Sequence, residues 1–290
     1  MSSRTDNRHR AASICRRATG LPLHVCHRWA AEGLITRVQP VPDAVDGGQR
    51  AFEAGVVLVL ADRLRHEQVE GALLGFTRAE PGPGGLTLSL HPAMADRVVA
   101  ELLPRIDTEY GGMRGVAGLR LTGGPGQWHL SGLLTGARIR LMHPHPEWTP
   151  LLPDDGVGTS YLWRRDPSRL HGIETGRPYD RWGEARDWLL SRLLRRVSLI
   201  NEAGAAHGWA NTYTHGNRGV VVECCAVSGQ HMTRSLLRSG LTMVPPDLTG
   251  GHEPDEVATA HGQLGLGDAL VTVRQAGCAA RPQILRGRTR

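Results

Sequence analysis

The sequence predicts an α+β fold, in which a small N-terminal helical unit precedes one or two strand–helix–strand–strand modules with mainly antiparallel sheets. Apolar residues recur at helical spacing in several stretches between residues 10 and 66. Short apolar runs bounded by Gly and Pro then predict strands. Segments 86–106 and 220–241 share one order of strand, turn, amphipathic helix and return strands. Either a repeated module or a chance agreement explains this shared order.

Length and composition predict more than one structural unit. We expect a helical unit over 1–70, an α+β module over 71–145 and a Pro-rich linker over 146–180. A second α+β module with a long amphipathic helix would span 181–280, before a basic tail over 281–290.

The N-terminus and the apolar runs predict a cytoplasmic protein without a membrane partner. The longest apolar run, 56–61, is far shorter than the roughly 18 residues of a membrane span. The first ten residues are polar and basic, and no apolar stretch of a secretory signal follows them.

The positive charge is a weak indicator of function in this chain. The net charge is +6, which favours an anionic partner. All 34 basic residues are arginine, however, which is typical of GC-rich coding sequences. Arginine abundance therefore says little, and the arginines at both ends are expected to be solvated.

The five cysteines predict reduced thiols. Their number is odd and no CxxC spacing occurs, so neither a disulfide framework nor a zinc site is indicated. We expect no cofactor and assign no metal ligands.

The stretch ATGLPLHVCHRWAAEGLI, residues 18–35, predicts two helices around a short break. At helical spacing Val25, Trp29 and Leu34 face inward. The donor side chains left outward are those of His24, His27 and Arg28. A helix-turn-helix that contacts DNA and an ordinary helical hairpin both fit this pattern.

Residues 10–66 resemble the winged-helix domain of the MerR family. The resemblance rests on Thr19-Gly20, on Trp29, on Gly33-Leu34 and on Arg50-Ala51-Phe52 before a helix. It implies a winged-helix-like unit that binds DNA, and a homodimer that sets the spacing of half-sites. The implied nucleic-acid contacts are His24, His27, Arg28, Arg37 and Arg50.

The two predicted modules resemble the GyrI-like effector domains of some MerR-like regulators, which bind small molecules. This resemblance implies a pocket between the modules. The candidate ligand-binding residues are Trp128, Trp163, Trp209, Asn211 and Tyr213. Ordinary core packing is the alternative role of these aromatic side chains.

A polar cluster over 201–215 suggests an enzyme as an alternative function. Glu202 and His207 would supply general acid–base chemistry of a hydrolase or a metal-dependent enzyme, with His215 as a further candidate. The two histidines lie eight residues apart, outside the spacing of helical metal ligands. Turn-capping and surface roles explain the same residues.

Residues 182–204 form the strongest helical pattern and suggest a third function. One stripe contains apolar residues from Trp182 to Ile200, and Arg192, Arg195 and Arg196 fall mostly off it. The stripe is either core or the seam of an oligomeric structural or interaction protein. A DNA-binding regulator with a small-molecule or protein-binding C-terminal region remains the leading prediction.

Overall fold

The computed structural model describes nine stretches of the chain, and the elements below lie within them. The described ranges are 2–65, 71–82, 84–107, 112–153, 159–175, 183–204, 211–215, 219–244 and 262–276.

Three helices open the chain as predicted. They are α1 (Ser2–Thr19), α2 (Leu23–Glu32) and α3 (Gly47–Arg63). The third helix begins at Gly47, because Asp46 caps it by accepting a hydrogen bond from the Gln49 backbone amide at 2.9 Å. No strand occurs in the described segment between α2 and α3, so the wing implied by the MerR resemblance does not form there.

The first module is a five-stranded sheet with one helix. Its elements are β1 (Phe76–Gly82), β2 (Gly85–Leu90), α4 (Ala95–Leu102), β5 (Leu119–Thr122), β6 (His129–Gly132) and β7 (Arg138–Met142). The strand order is β1-β2-β7-β6-β5, and only the β2–β7 pair is parallel.

The predicted linker contains folded elements. A small antiparallel sheet joins β3 (Arg105–Asp107), β4 (Gly112–Arg114) and β8 (Thr159–Tyr161), and two short helices follow, α5 (Leu162–Arg165) and α6 (Gly172–Thr175). Glu174 fixes α6 to the first sheet, because both its oxygens accept hydrogen bonds from the buried Arg120 guanidinium at 2.9 Å.

The second module repeats the strand order of the first. It comprises α7 (Glu184–Leu194), α8 (Val197–Asn201), β9 (Asn211–His215), β10 (Gly219–Cys224), α9 (Gly229–Arg238), β11 (Gln263–Leu266) and β12 (Ala269–Gln275). The order β9-β10-β12-β11 matches β1-β2-β7-β6, and β10–β12 is again the parallel pair. The prediction of an α+β fold with mainly antiparallel sheets is confirmed.

The two modules meet through the long helices α3 and α7. These helices pack on each other, while α3 reaches β9 and α8 reaches β1. One hydrophobic core therefore runs through both modules. α3 and α7 pack on each other where the modules meet, and the pocket that the GyrI resemblance implied stays a prediction.

The arginines that fall mostly off the apolar stripe of 182–204 are nevertheless buried. Arg195 and Glu53 are both fully buried and joined by two hydrogen bonds of 2.8 and 2.7 Å. Arg192 makes a similar pair with Asp43. Buried cations need such partners, since removing an unpaired charge from water is costly.

Arg196 has a different environment from its two neighbours. Its guanidinium donates to the carbonyl of Ser239 at 2.6 and 3.1 Å and to the carbonyl of Arg192 at 2.9 Å. Complete burial lowers the pKa of Arg196 to about 9. The backbone leaves helical geometry here, at φ −111° and ψ 24°, which divides the predicted helix into α7 and α8.

Candidate nucleic-acid interface

The turn between α1 and α2 is stabilised locally by its own residues. Gly20 takes the left-handed conformation at φ 79°, a value that favours glycine. The Thr19 hydroxyl donates to the Cys15 carbonyl at 2.7 Å and accepts from the Leu21 amide at 3.2 Å. Pro22 precedes α2, where its missing amide hydrogen costs no helical bond. The predicted helix–break–helix arrangement therefore forms, with a three-residue break.

The α1–α2 hairpin has a small core of its own, separate from the main core. Its buried members are Ala11, Ala12, Cys15, Leu21, Cys26, Trp29, Ala30 and Ile35. The sequence placed Trp29 correctly, and Val25 is half-buried. Leu34 was predicted to face inward but is 49 % exposed. Gly33 ends α2 in the left-handed conformation and redirects the chain, so that Ile35 fills the core instead.

Two of the three predicted outward donors of α2 are exposed. The side chains of His24 and Arg28 lie in solvent, one helical turn apart. His27 is half-buried, because its ring stacks on His9 of α1 with the centroids 5.2 Å apart. Arg37 is exposed in the segment that follows α2.

Arg50 does not face a nucleic acid, contrary to the prediction. It is buried, and its Nη1 donates to the carbonyls of Ala44 at 3.2 Å and Val45 at 2.8 Å. Its guanidinium carbon lies 4.0 Å from the ring centre of Trp188 on α7. The residue joins α3 to α7, because the helix that carries it is enclosed by the second module.

Positive charge is concentrated on the hairpin. Residues 1–37 contain seven arginines and two acidic residues, whereas residues 38–276 contain 23 arginines and 26 acidic residues. The sequence already shows the arginines crowded at this end, where we expect them to be solvated. The count by segment identifies the hairpin as the basic part of the folded chain.

Arg17 attaches the hairpin to the body of the protein. Its guanidinium donates to both carboxylate oxygens of Glu202, which follows α8, at 2.7 and 3.0 Å from Nε. Its Nη2 lies 2.7 Å from Nε2 of His231 on α9. The hydrogen bond to Glu202 raises the pKa of Arg17, so this guanidinium stays charged.

The candidate catalytic cluster over 201–215 lies largely outside the described residues. Glu202 is engaged by Arg17, and His207 lies outside the described residues, as does the side chain of His215 in β9. The side-chain amide of Asn201 accepts a hydrogen bond from the Leu73 backbone amide and donates one to the Phe76 carbonyl. Its role is structural. Within the described ranges no three His, Cys, Asp or Glu side chains are grouped as a metal site would require.

The predicted ligand-binding residues that the structure describes lie in three different parts of the fold. Trp128 precedes β6 and donates to the Trp148 carbonyl at 3.0 Å, and Trp163 lies in α5. The Tyr213 hydroxyl on β9 donates to Glu223 at 3.1 Å. Trp209 and the side chain of Asn211 lie outside the described residues. The three described aromatic residues share no contact that would form one pocket wall.

Within the described ranges, every helix is too short or too polar to cross a membrane. Comparison with protein-family models, with curated proteins and with solved structures gave no match to this chain.

Proposed function

We propose that the protein is a DNA-binding regulator of the cytoplasm whose α1–α2 hairpin contacts the duplex. The body, built from the two modules, would be its small-molecule or protein-binding region. One observation carries this proposal: the hairpin concentrates the positive charge of the folded chain on a helix pair whose second helix packs chiefly on the first. Nucleic-acid affinity depends mainly on such charge.

The outward face of α2 supplies suitable donors. Arg28 can bond a phosphate or the edge of a guanine, and His24 lies one turn before it on the same face. Arg37, which follows the end of α2, would contact the phosphate backbone of the duplex. The small core around Trp29 keeps the two helices at a fixed geometry, so these donors are presented together.

The proposed binding mode differs from that of the MerR family in two respects. The described segment after α2 forms no wing, and α3 is buried against α7 rather than free to lead into a dimer helix. The hairpin therefore has to supply the contacts itself, and the affinity should depend steeply on salt. Dimerisation stays a prediction, which light scattering of the purified chain would check.

Fluorescence anisotropy with a labelled duplex of mixed sequence tests the proposal on the full chain. We expect the logarithm of the binding constant to fall linearly with the logarithm of salt concentration, with a slope of about −4 for four to five phosphate contacts. Arg28→Ala should reduce the magnitude of that slope by about 1. The matched control is Arg140→Ala, because Arg140 is an exposed arginine on β7.

The control should leave affinity and slope unchanged. Binding that lacks salt dependence, or an equal loss in Arg28→Ala and Arg140→Ala, would contradict a hairpin interface.

The apolar stripe of 182–204 does not support the alternative of an oligomeric seam, because Leu189 and Leu193 are fully buried within this chain.

A further inference from the structure

A concave cleft of about 680 Å³ lies where the hairpin meets the body. Its α1 wall is a stripe at helical spacing, and α8 supplies the opposite wall. The lining residues are His9, Ser13, Arg16, Arg17, Gly20, Leu23, Ser198 and Glu202. The volume falls within the range of about 300–1,000 Å³ that is typical of small-molecule sites.

The close approach of α1 to α8 depends on Gly20 at one end of the cleft. A Cβ atom at this position would lie 3.2 Å from the Ser198 hydroxyl and 3.2 Å from Cγ of Arg78. The left-handed conformation also disfavours other residues. The ends of the two helices can therefore come together there while the cleft remains open beside them.

The cleft has an excess of cationic groups and a single carboxylate. Arg16 is exposed, and its guanidinium has no hydrogen-bond or ion-pair partner among the described residues. Arg17 lies beside it, held by Glu202 and by His231. The hydroxyls of Ser13 and Ser198 add donors to the opening. An anion is favoured near the two guanidinium groups, whereas Glu202 favours a ligand that also donates a hydrogen bond.

We propose that this cleft binds a small phosphate ester that carries hydroxyl groups. The phosphate bonds Arg16 and Arg17, and a ligand hydroxyl donates to Glu202. A nucleic-acid backbone offers the same phosphate chemistry, but the carboxylate on the α8 wall repels a continuous polyanion. The concave shape also suits a ligand of limited size.

A regulatory consequence follows, and it alone rests on the proposed function. A bound phosphate ester neutralises Arg16, the lining arginine that Glu202 does not pair with, and bridges α1 to α8. It should therefore weaken the attraction of the hairpin for DNA, and DNA should weaken ester binding by the same factor.

Calorimetry on the full chain tests the binding directly, with ribose 5-phosphate and inorganic phosphate as probes. We expect ribose 5-phosphate to bind about tenfold more tightly than phosphate, because the sugar hydroxyls of the ester can donate to Glu202 while its phosphate bonds the arginines. Glu202→Ala removes this acceptor and should abolish that preference. Ser198→Glu should weaken both probes by about tenfold through charge repulsion, and Ser13→Asp, at an exposed position, should do the same. Thr149→Glu is the matched control, because Thr149 is exposed outside the cleft.

The outcomes separate this site from the DNA interface. His24→Ala and Arg28→Ala should keep full affinity for ribose 5-phosphate even where DNA binding is lost. No binding by the unmodified chain overturns the proposal. Binding that Ser198→Glu and Ser13→Asp leave unchanged, or that Thr149→Glu weakens equally, also overturns it, because the phosphate would then be held elsewhere. If ribose 5-phosphate binds as expected while duplex DNA does not, the cleft stands and the proposed function fails.

Discussion

The hairpin and the body use arginine in opposite ways. On α1 and α2, Arg16 and Arg28 are exposed, and Arg17 is half-exposed in its pair with Glu202. Between α3 and α7, Arg192 and Arg195 are buried and closed by carboxylates from distant parts of the chain. The same residue type thus stabilises the body and leaves the hairpin available to an anion. Composition alone cannot separate these roles, because the difference lies in what surrounds each guanidinium.

The largest expected effect comes from breaking the most enclosed pair. Glu53→Ala should lower the free energy of unfolding by about 5 kcal/mol, since removing one partner leaves a buried, unpaired Arg195. Glu53 also accepts hydrogen bonds from the Ser191 hydroxyl at 2.6 Å and from the side-chain amide of Gln49 at 2.8 Å. Several donors therefore lose their acceptor in the variant. Urea denaturation measures the change. The double variant Glu53→Leu/Arg195→Met should recover part of it, and failure to recover any would contradict a simple charge-pairing role.

Glu174→Gln should have the next largest effect, about 3 kcal/mol at neutral pH, because one buried partner of Arg120 loses its charge. Burial opposes ionisation, but hydrogen bonds from Arg120 and from the His171 and Gly118 amides outweigh it, so the pKa of Glu174 is lowered. A lowered folded-state pKa gives stability that is present above the unfolded value and lost as pH falls. Denaturation at several pH values should therefore show the variant and the unmodified chain converging in acid. A difference independent of pH would contradict this.

The sequence predicts the helices of the hairpin but not the buried ion pairs of the body. The helices of the hairpin followed from apolar spacing and from breakers at Gly20 and Pro22, which act locally. The burial of Arg195 could not be predicted, because its partner Glu53 lies 142 residues earlier and periodicity counts both residues as polar. Arg50 was misplaced for the same reason, since Trp188 of a distant helix covers it.

The candidate interface was predictable only in part. His24 and Arg28 face outward as helical periodicity predicts. The cleft could not be foreseen, because it depends on Glu202 meeting Arg17 across 185 positions. The parallel pairing of β2 with β7 and of β10 with β12 is also long-range, and strand patterns do not specify partners.

Asp187 in α7 should show the opposite pH dependence to Glu174. Burial raises the pKa of Asp187 to about 6, although Arg186 and Arg50 oppose the shift. A raised folded-state pKa means that stability declines as pH rises from the unfolded value through 6. Asp187→Asn should therefore stabilise the protein at pH 8 by about 1–2 kcal/mol, after allowance for solvent screening, and not at pH 4. Thermal unfolding at both pH values measures this, and a variant that is less stable at pH 8 would contradict the assignment.

The smallest effect should arise at the attachment of the hairpin. Arg17→Ala removes an ion pair that is partly open to solvent, so the free energy of unfolding should fall by no more than about 1 kcal/mol. The loss should shrink further at high salt. Urea denaturation at low and high salt measures it. A loss as large as that of Glu53→Ala would show that the hairpin and the body do not differ as described.

Arginine modification by phenylglyoxal, with the products located by mass spectrometry, tests the contrast between the two regions most directly. In the free, folded chain we expect Arg16 and Arg28 to react readily, whereas Arg192, Arg195 and Arg196 should react only after unfolding. Duplex DNA should protect Arg28 and leave the exposed Arg140 reactive. Reaction of the three buried arginines in the folded chain would contradict their burial in the body. Equal reactivity of Arg28 with and without bound DNA would contradict the hairpin interface.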